Sequence, residues 1–362
     1  MPITFFTGFP GFLGSALLPR VLARSGDLRA VCLVQPRFLD QARSRVTQIE
    51  AAHPDVAGRI ELVEGDITRP GLDLAARAPD IRGEVVEIWH LAAVYDLSVT
   101  RELGMRVNVD GTRHMLEFAA GCPGLGRFQY VSTCYVSGSY PAVFYETDLQ
   151  RGQVFNNFYE ETKYLAEVAV QERMAAGLPV TIYRPSVVVG DSDTGATQKY
   201  DGPYFIIRYV LRSPKIALLP MVGNPKTFRA NTVPRDFVVR AIDYLSGLKE
   251  SEGKVYALAD PNPLTIAEIT QLIGETTGRR VVTFPVPMKL AKAVLARPTA
   301  DRLTGIPPAL LDYFAHPTHY DTTRASADLA GSGISCPSFR SYVDKLVEFV
   351  KAHPEFGSAA MV

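Results

Sequence analysis

The chain has 362 residues, 47% hydrophobic and 21% charged, which is ordinary globular composition with enough apolar mass for a large core. Its 38 basic residues balance 38 acidic ones, so bulk charge gives no reason to expect nucleic acid as a partner or long-range electrostatic steering. That length suits two domains, or one large domain with an elaborated lobe.

In chain order, the first candidate strand is Ile3–Thr7. It runs into Thr7-Gly8-Phe9-Pro10-Gly11-Phe12-Leu13-Gly14, and a helical pattern follows over Leu13–Arg24. Strand, tight glycine turn and helix N-terminus in that order build a pyrophosphate site. Missing side chains let backbone N–H groups approach the phosphates, and the helix dipole favours their negative charge. Further strands are expected at Ala30–Val34, Ile60–Glu64, Glu87–Leu91, Arg127–Val131 and Val180–Arg184. Helices are expected at Leu39–Ala52, Arg106–Ala120 and Glu161–Ala176. This alternation predicts an α/β protein, a Rossmann-type doubly wound parallel sheet with helices on both faces.

From Val189 the pattern loosens. Gly, Asp, Pro and aromatic residues crowd 190–205, and Pro261, Pro263, Pro285, Pro287, Pro298, Pro307, Pro308 and Pro317 punctuate 260–320. Pro234–Leu248, Lys254–Ala259 and a closing helix Phe339–Ala352 read as returns to the sheet domain. The expected organisation is a dinucleotide-binding domain over 1–190, about 234–260 and about 335–353. A smaller substrate-binding lobe is expected from two C-terminal insertions, about 191–233 and 262–332. Residues from Pro354 on are expected to be loosely held.

Cys32, Cys122, Cys134 and Cys336 follow no metal-ligand or disulfide spacing, so the expectation is a reduced cytoplasmic protein with buried thiols. The strand pattern at the start of the chain leaves no room there for a signal peptide. No uncharged apolar run reaches the roughly 18 residues of a membrane span. The longest candidate, 204–222, contains Arg208, Arg212 and Lys215.

Tyr159-Glu160-Glu161-Thr162-Lys163 opens the helix that runs to Ala176. Positions i and i+4 share a helix face. A lysine ammonium beside a phenol lowers the phenol pKa from about 10 towards working pH. A surface helix produces that pattern easily, so a second segment matters. Residues 127–138 read as a strand whose end carries Ser132 and Thr133. In doubly wound sheets, chemistry sits at the carboxyl ends of strands. A hydroxyl there can bond a substrate oxygen while Tyr159 gives or takes its proton.

The glycine loop, Gly65-Asp66, His90-Leu91-Ala92-Ala93, Asn108-Val109-Asp110-Gly111-Thr112, Ser132-Thr133, Tyr159 with Lys163, and Arg184-Pro185-Ser186 occur in one order. Together they resemble the extended short-chain dehydrogenase/reductases over about residues 3–260. The segments 131–136 and 184–192 look most like the fatty acyl-CoA and thioester reductase branch of male-sterility type, which includes the reductase domains of carboxylic acid reductases. The resemblance implies Thr133 as the substrate-oxygen hydroxyl, Tyr159 as general acid/base, and Lys163 as its electrostatic partner and a ribose contact. It implies a dinucleotide held by Thr7, Gly8, Gly11, Phe12, Leu13 and Gly14. Asp66 and Ile67 would meet the adenine, Ala92 and Ala93 would line the cofactor, and Pro185 with Val187 would pack near the nicotinamide. Asn108 is implied to brace backbone. A homodimer paired through two helices of the sheet domain is a further implication. The loop departs from the family in its bulky Phe9 and rigid Pro10.

NAD sites place an acid at the end of the second strand for the ribose 2′-OH. Here the strand ends Leu33-Val34-Gln35-Pro36-Arg37, without an acid. Arg37, assisted by Arg20, suits a 2′-phosphate, so NADP(H) is expected over NAD(H). Cys134-Tyr135 after Thr133 lack the acid of dehydratases.

Tyr135, Tyr140, Phe144, Tyr145, Phe155, Phe158 and 204–207 form an aromatic, apolar set that suits an acyl chain or hydrophobic carbonyl, and equally a folding core. Tyr135, Phe155, Phe158 and Tyr204 are the expected substrate contacts. The expected reaction is hydride transfer from NADPH to the carbonyl carbon of a hydrophobic substrate. An acyl thioester on coenzyme A or a carrier protein, reduced to aldehyde or alcohol, is the leading choice. A hydroxysteroid-like aldehyde or ketone reductase, a sugar-nucleotide epimerase and a non-catalytic dinucleotide sensor are the alternatives. His316 and His319 lack partners at metal-ligand spacing, so no metal is expected, and both could border the substrate mouth. His90 and His114 read as structural. Leu290–Leu295 reads as a short amphipathic edge able to touch lipid.

Overall fold

A computed structural model describes residues 1–96, 98–295 and 308–357. Seven strands form the main sheet: β1 (Ile3–Thr7), β2 (Arg29–Val34), β3 (Ile60–Glu64), β4 (Val85–His90), β5 (Arg127–Val131), β6 (Val180–Pro185) and β7 (Val255–Leu258). Their order is β7-β6-β5-β4-β1-β2-β3, with every neighbour parallel. β1, β6 and β7 are buried along their whole length, as strands covered on both faces are. This is the expected doubly wound α/β sheet.

The helices supply the two covering layers. α1 (Phe12–Ala23), α2 (Leu39–Ala52) and the later helix Arg235–Gly247 pack into one core, through residues such as Leu18, Ile49 and Ile242. Gly111–Ala120 and Phe158–Ala175, here α3 and α4, pack into the core on the other face through Leu116, Phe118 and Val170. α4 begins three residues before the expected Glu161, because Asn157 caps it by accepting the Glu160 N–H at 3.0 Å. The expected helix 106–120 is instead a short helix from Arg101, a π turn over Met105–Asp110, and α3.

β1 lies between β4 and β2, so the chain winds away in opposite directions there and opens a crevice above the strand ends. The register aligns those ends. Thr7 pairs with His90, His90 with Tyr130, and Val131 with Tyr183. The residues following β1, β4, β5 and β6 therefore emerge side by side.

A third core gathers the C-terminal lobe around Tyr204, Ile207, Ile269, Ile273, Leu346 and Val347. The closing helix, Val343–Ala352, packs here against Pro203–Arg212 and Ile266–Thr277, and not on the sheet domain as expected. Its buried stripe of Val343, Leu346, Val347 and Val350 finds its apolar partners in the lobe. Conversely Thr323–Asp328, expected in the lobe, packs beside β7. Ala325 joins the sheet core, and the Asp328 carboxylate accepts from Lys254 Nζ and the Tyr256 hydroxyl at 2.6 Å each.

Pro298 and Pro307 of the expected lobe, like the chain after residue 357, lie outside the described residues. Leu290 of the expected lipid-touching edge is exposed, while the neighbouring Ala291 is buried. Among the described residues no helix is long and apolar enough to cross a membrane. All four cysteines are free thiols, and Cys32, Cys122 and Cys134 are buried.

Candidate active site

The glycine loop closes around one carbonyl group. The Gly11 N–H donates to the Gly8 carbonyl at 2.9 Å. A Cβ at Gly11 or Gly14 would stand 2.7 Å from that oxygen, and one at Gly8 would stand 2.7 Å from the Leu91 carbonyl carbon. Gly8 also has φ of +84°, where L side chains are strained. The turn therefore needs glycine at all three positions. Gly11 caps α1 with no side-chain hydrogen bond, leaving the first-turn amides for an anion. The Phe9–Pro10 peptide is cis, and Phe9 is buried in the sheet core. The bulky residue in the loop is thus an anchor.

Below the loop, a buried chain of hydrogen bonds fixes the floor. The Thr112 hydroxyl donates to the Asn108 carbonyl at 2.6 Å, so His90 Nε2–H donates to Thr112. His90 Nδ1 then accepts from Thr7 Oγ1 at 2.8 Å. Burial, aided by the Lys163 charge, pushes the His90 pKa down to about 3 and keeps the ring neutral. Asn108 spans the N–H and carbonyl of Val94, bracing backbone.

One cavity of about 1070 Å³ lies above the strand ends. Its lining brings together Thr7, Gly8, Gly11, Phe12, Leu13, Gly14, Arg37, Ile67, Ala92, Ala93, Thr133, Tyr159, Lys163, Pro185 and Val187. Asp66 does not line it. Its carboxylate instead accepts the Thr68 N–H at 2.8 Å and shapes the turn after β3, while Gly65 and Ile67 on either side reach the cavity. Arg37 is steadied by Gln35 Oε1 at 2.7 and 2.9 Å and lies over the Phe38 ring. Arg20 is elsewhere, 3.8 Å from Asp243. Among the described residues four arginines line the cavity, Arg37, Arg45, Arg229 and Arg235, and of these Arg45 of α2 lies one turn beyond Gln41, which also lines it. Sequence reasoning missed Arg45, although it stands two helical turns beyond Arg37.

Thr133 stands two residues past β5 and caps a short turn, its Oγ1 accepting the Tyr135 N–H at 3.2 Å. Tyr159, in the first turn of α4, lines the same cavity as Thr133, whose side chain favours its phenolate. Lys163 is buried and donates from Nζ to the Val131 carbonyl at 3.0 Å and the Tyr130 hydroxyl at 3.2 Å. The expected lowering of the Tyr159 pKa does not occur. Burial pushes it up to about 12, partly offset by Thr133, and burial brings Lys163 down to about 8. The lysine is drawn to Tyr130 and Val131, and both groups are taken from water.

One turn along α4, Glu167 accepts from Arg184 of β6 at 2.6 Å and from the Ser132 hydroxyl. All three are buried, so α4 is tied to the ends of β5 and β6.

The substrate wall differs from expectation. Of the four expected contacts, Tyr135 alone lines the cavity. Phe155 packs on Tyr164 with ring centroids 5.0 Å apart, and Phe158 is 44% exposed. Tyr204 is buried in the lobe core, where its hydroxyl accepts the Gly190 N–H at 2.9 Å. Tyr140 and Phe144 pack with Val136 and Leu149 in a small core, and Tyr145 is exposed. Phe205 and Ile206 of the expected 204–207 stretch do line the cavity, joined by Tyr313, Phe314, His316 and Tyr320, with His319 beside them. Tyr313 and Tyr320 carry no local sequence signal, because only the long return of the chain brings them to the site.

A doubly wound sheet, a glycine cradle at its switch point, and a hydroxyl, phenol and lysine in one cavity define an NAD(P)-binding reductase of the extended short-chain dehydrogenase/reductase type. Residues 6–242 match the Male sterility protein family, and the chain belongs to it. Glycine betaine reductase ATRR of Emericella nidulans is 30% identical over 281 residues, 73% of this chain and 21% of that protein. The chain thus spans about a fifth of that relative. The terminal R domain of the myxalamid PKS-NRPS pathway has the same fold, with a TM-score of 0.84 at 26% identity, over 99% of this chain and 93% of that one. An archaeal thiolation-reductase di-domain shares the fold at a TM-score of 0.75 and 20% identity, over 98% of this chain and 76% of that one.

Proposed function

We propose that this protein reduces a hydrophobic acyl thioester, carried on coenzyme A or a carrier domain, to the aldehyde with NADPH. The observation that carries the reading is the meeting of Thr133, Tyr159 and Lys163 with a glycine cradle and an apolar wall in one cavity of about 1070 Å³. The cradle that a Cβ would fill suits the pyrophosphate of a dinucleotide. Arg37, just past the acid-free end of β2, and Arg45 of α2 both line the cavity and suit a 2′-phosphate. NADPH, when bound, supplies the hydride to the acyl carbon.

The chain's own part is orientation and proton transfer. Thr133 Oγ1 and the Tyr159 hydroxyl stand together as donors for the substrate oxygen, and Tyr159 gives its proton as charge develops there. A phenol whose pKa burial pushes up to about 12 stays protonated at neutral pH, as a proton donor must. The Lys163 ammonium stabilises the phenolate left behind. The hemithioacetal then loses its thiol. In balance, thioester, NADPH and a proton give aldehyde, thiol and NADP⁺. A further hydride and proton would give the alcohol.

Phe205, Ile206, Ile266, Ile269 and Phe314 line the same cavity and suit an acyl chain better than a nucleotide sugar. Likeness to a terminal R domain and to a thiolation-reductase di-domain supports the carrier-bound form. NADPH consumption measured with long-chain acyl-CoA, a pantetheine thioester and the free aldehyde tests the reading. Turnover of a thioester is expected. Turnover of the aldehyde alone replaces the reading with simple carbonyl reduction.

A further inference from the structure

Tyr313 belongs to the turn Pro308–Ala315, yet its hydroxyl donates to Glu160 Oε1, 153 residues earlier, at 2.6 Å. The same hydroxyl accepts from Asn157 Nδ2 at 2.8 Å. Glu160 directly follows Tyr159 and is fully buried. Its carboxylate also accepts the Asn156 N–H at 2.8 Å and Asn156 Nδ2 at 3.2 Å. These partners are all neutral, and a buried carboxylate held only by neutral donors is an expensive way to cap a helix. Asn157 already does that work, accepting the Glu160 N–H. The knot therefore fixes the backbone from 156 to 160 twice, once within the turn and once from the lobe. The Tyr313 ring meets Tyr135 edge-on, centroids 4.7 Å apart, and both line the cavity that holds Tyr159. One side chain of the lobe thus touches both the substrate wall and the catalytic turn.

We propose that Glu160 and Tyr313 are positioning residues, tying the C-terminal lobe to the first turn of α4 so that the Tyr159 hydroxyl is held where it serves the substrate oxygen. Neither touches the reacting atoms. Both act through the backbone that carries Tyr159, and a small displacement of a proton donor is enough to slow its step. The proposal rests on the reductase reading for its rate measurements.

The test compares Tyr313→Phe, Glu160→Ala, Glu160→Gln and the double variant Tyr313→Phe/Glu160→Ala in the full chain. The readouts are kcat on the substrate the wild type turns over, the Kd for NADPH, and amide hydrogen exchange across residues 158–163. Tyr313→Phe and Glu160→Ala are each expected to lower kcat about tenfold while the NADPH Kd stays unchanged. The double variant is expected to lose no more than the worse single. Glu160→Gln still accepts from Tyr313 and Asn156 Nδ2 through its one amide oxygen but turns its NH2 towards the Asn156 N–H, and is expected to lose less kcat than Glu160→Ala. Exchange across 158–163 should quicken in Tyr313→Phe and Glu160→Ala, and less in Glu160→Gln. Wild-type kcat in Tyr313→Phe, additive losses in the double variant, or unchanged exchange in Tyr313→Phe overturns the proposal. A wild-type protein inactive on thioester and aldehyde alike defeats the reductase reading alone, and hydrogen exchange still decides the positioning.

Discussion

Tyr159 and Lys163 stand one helical turn apart, and burial drives both towards their neutral forms. The phenol rises to about 12 and the ammonium falls to about 8. The pairing was legible in the sequence, because i and i+4 share a helix face. The direction of the Tyr159 shift was not, because it depends on how deeply the fold buries the pair. A measurable consequence follows from the lysine. It is charged below about pH 8 and neutral above, and only the charged form stabilises the phenolate. In the reducing direction, kcat/KM should hold level up to that point and then fall roughly tenfold per pH unit. Lys163→Arg, whose guanidinium stays charged, should lower kcat/KM but abolish this descending limb. A wild-type profile level to about pH 10 would contradict the assignment.

The elements that carry the cofactor side were the most legible, because each declares itself locally. The loop needs glycine where its own carbonyl crowds Gly11 and Gly14, and the acid-free end of β2 is visible in five residues. Asp66 stays off the cavity lining for a local reason too, since the short turn after β3 takes its carboxylate for the Thr68 N–H. Arg45 shows what a motif scan passes over: a helical residue two turns from the strand end that still reaches the cavity. If Arg37 and Arg45 both meet a 2′-phosphate, Arg37→Ala and Arg45→Ala should each raise the KM for NADPH about tenfold and leave the KM for NADH nearly unchanged. Steady-state comparison of the two cofactors in both variants checks this. An unchanged preference removes these arginines from the 2′-phosphate.

At the scale of the whole molecule, the lobe was hardest to read. An amphipathic stripe says that Val343–Ala352 buries a face, and says nothing about which core receives it. The aromatic residues between 140 and 158 lie close to Thr133, Tyr159 and Lys163 in sequence, but they pack into small cores or face solvent. The wall that meets the cavity comes from Phe205, Ile206 and the return through Tyr313 to Tyr320. Such contacts are fixed by tertiary closure, which no local pattern records. This closure brings an apolar wall into one cavity with Thr133, Tyr159 and Lys163. The most direct test of that arrangement follows deuterium from the transferable position of NADPH into product. With wild-type protein and an acyl thioester, the aldehyde should carry one deuterium on its carbonyl carbon, and Tyr159→Phe should form almost none. Aldehyde without deuterium, or wild-type product formation by Tyr159→Phe, would contradict hydride transfer with Tyr159 as the proton donor.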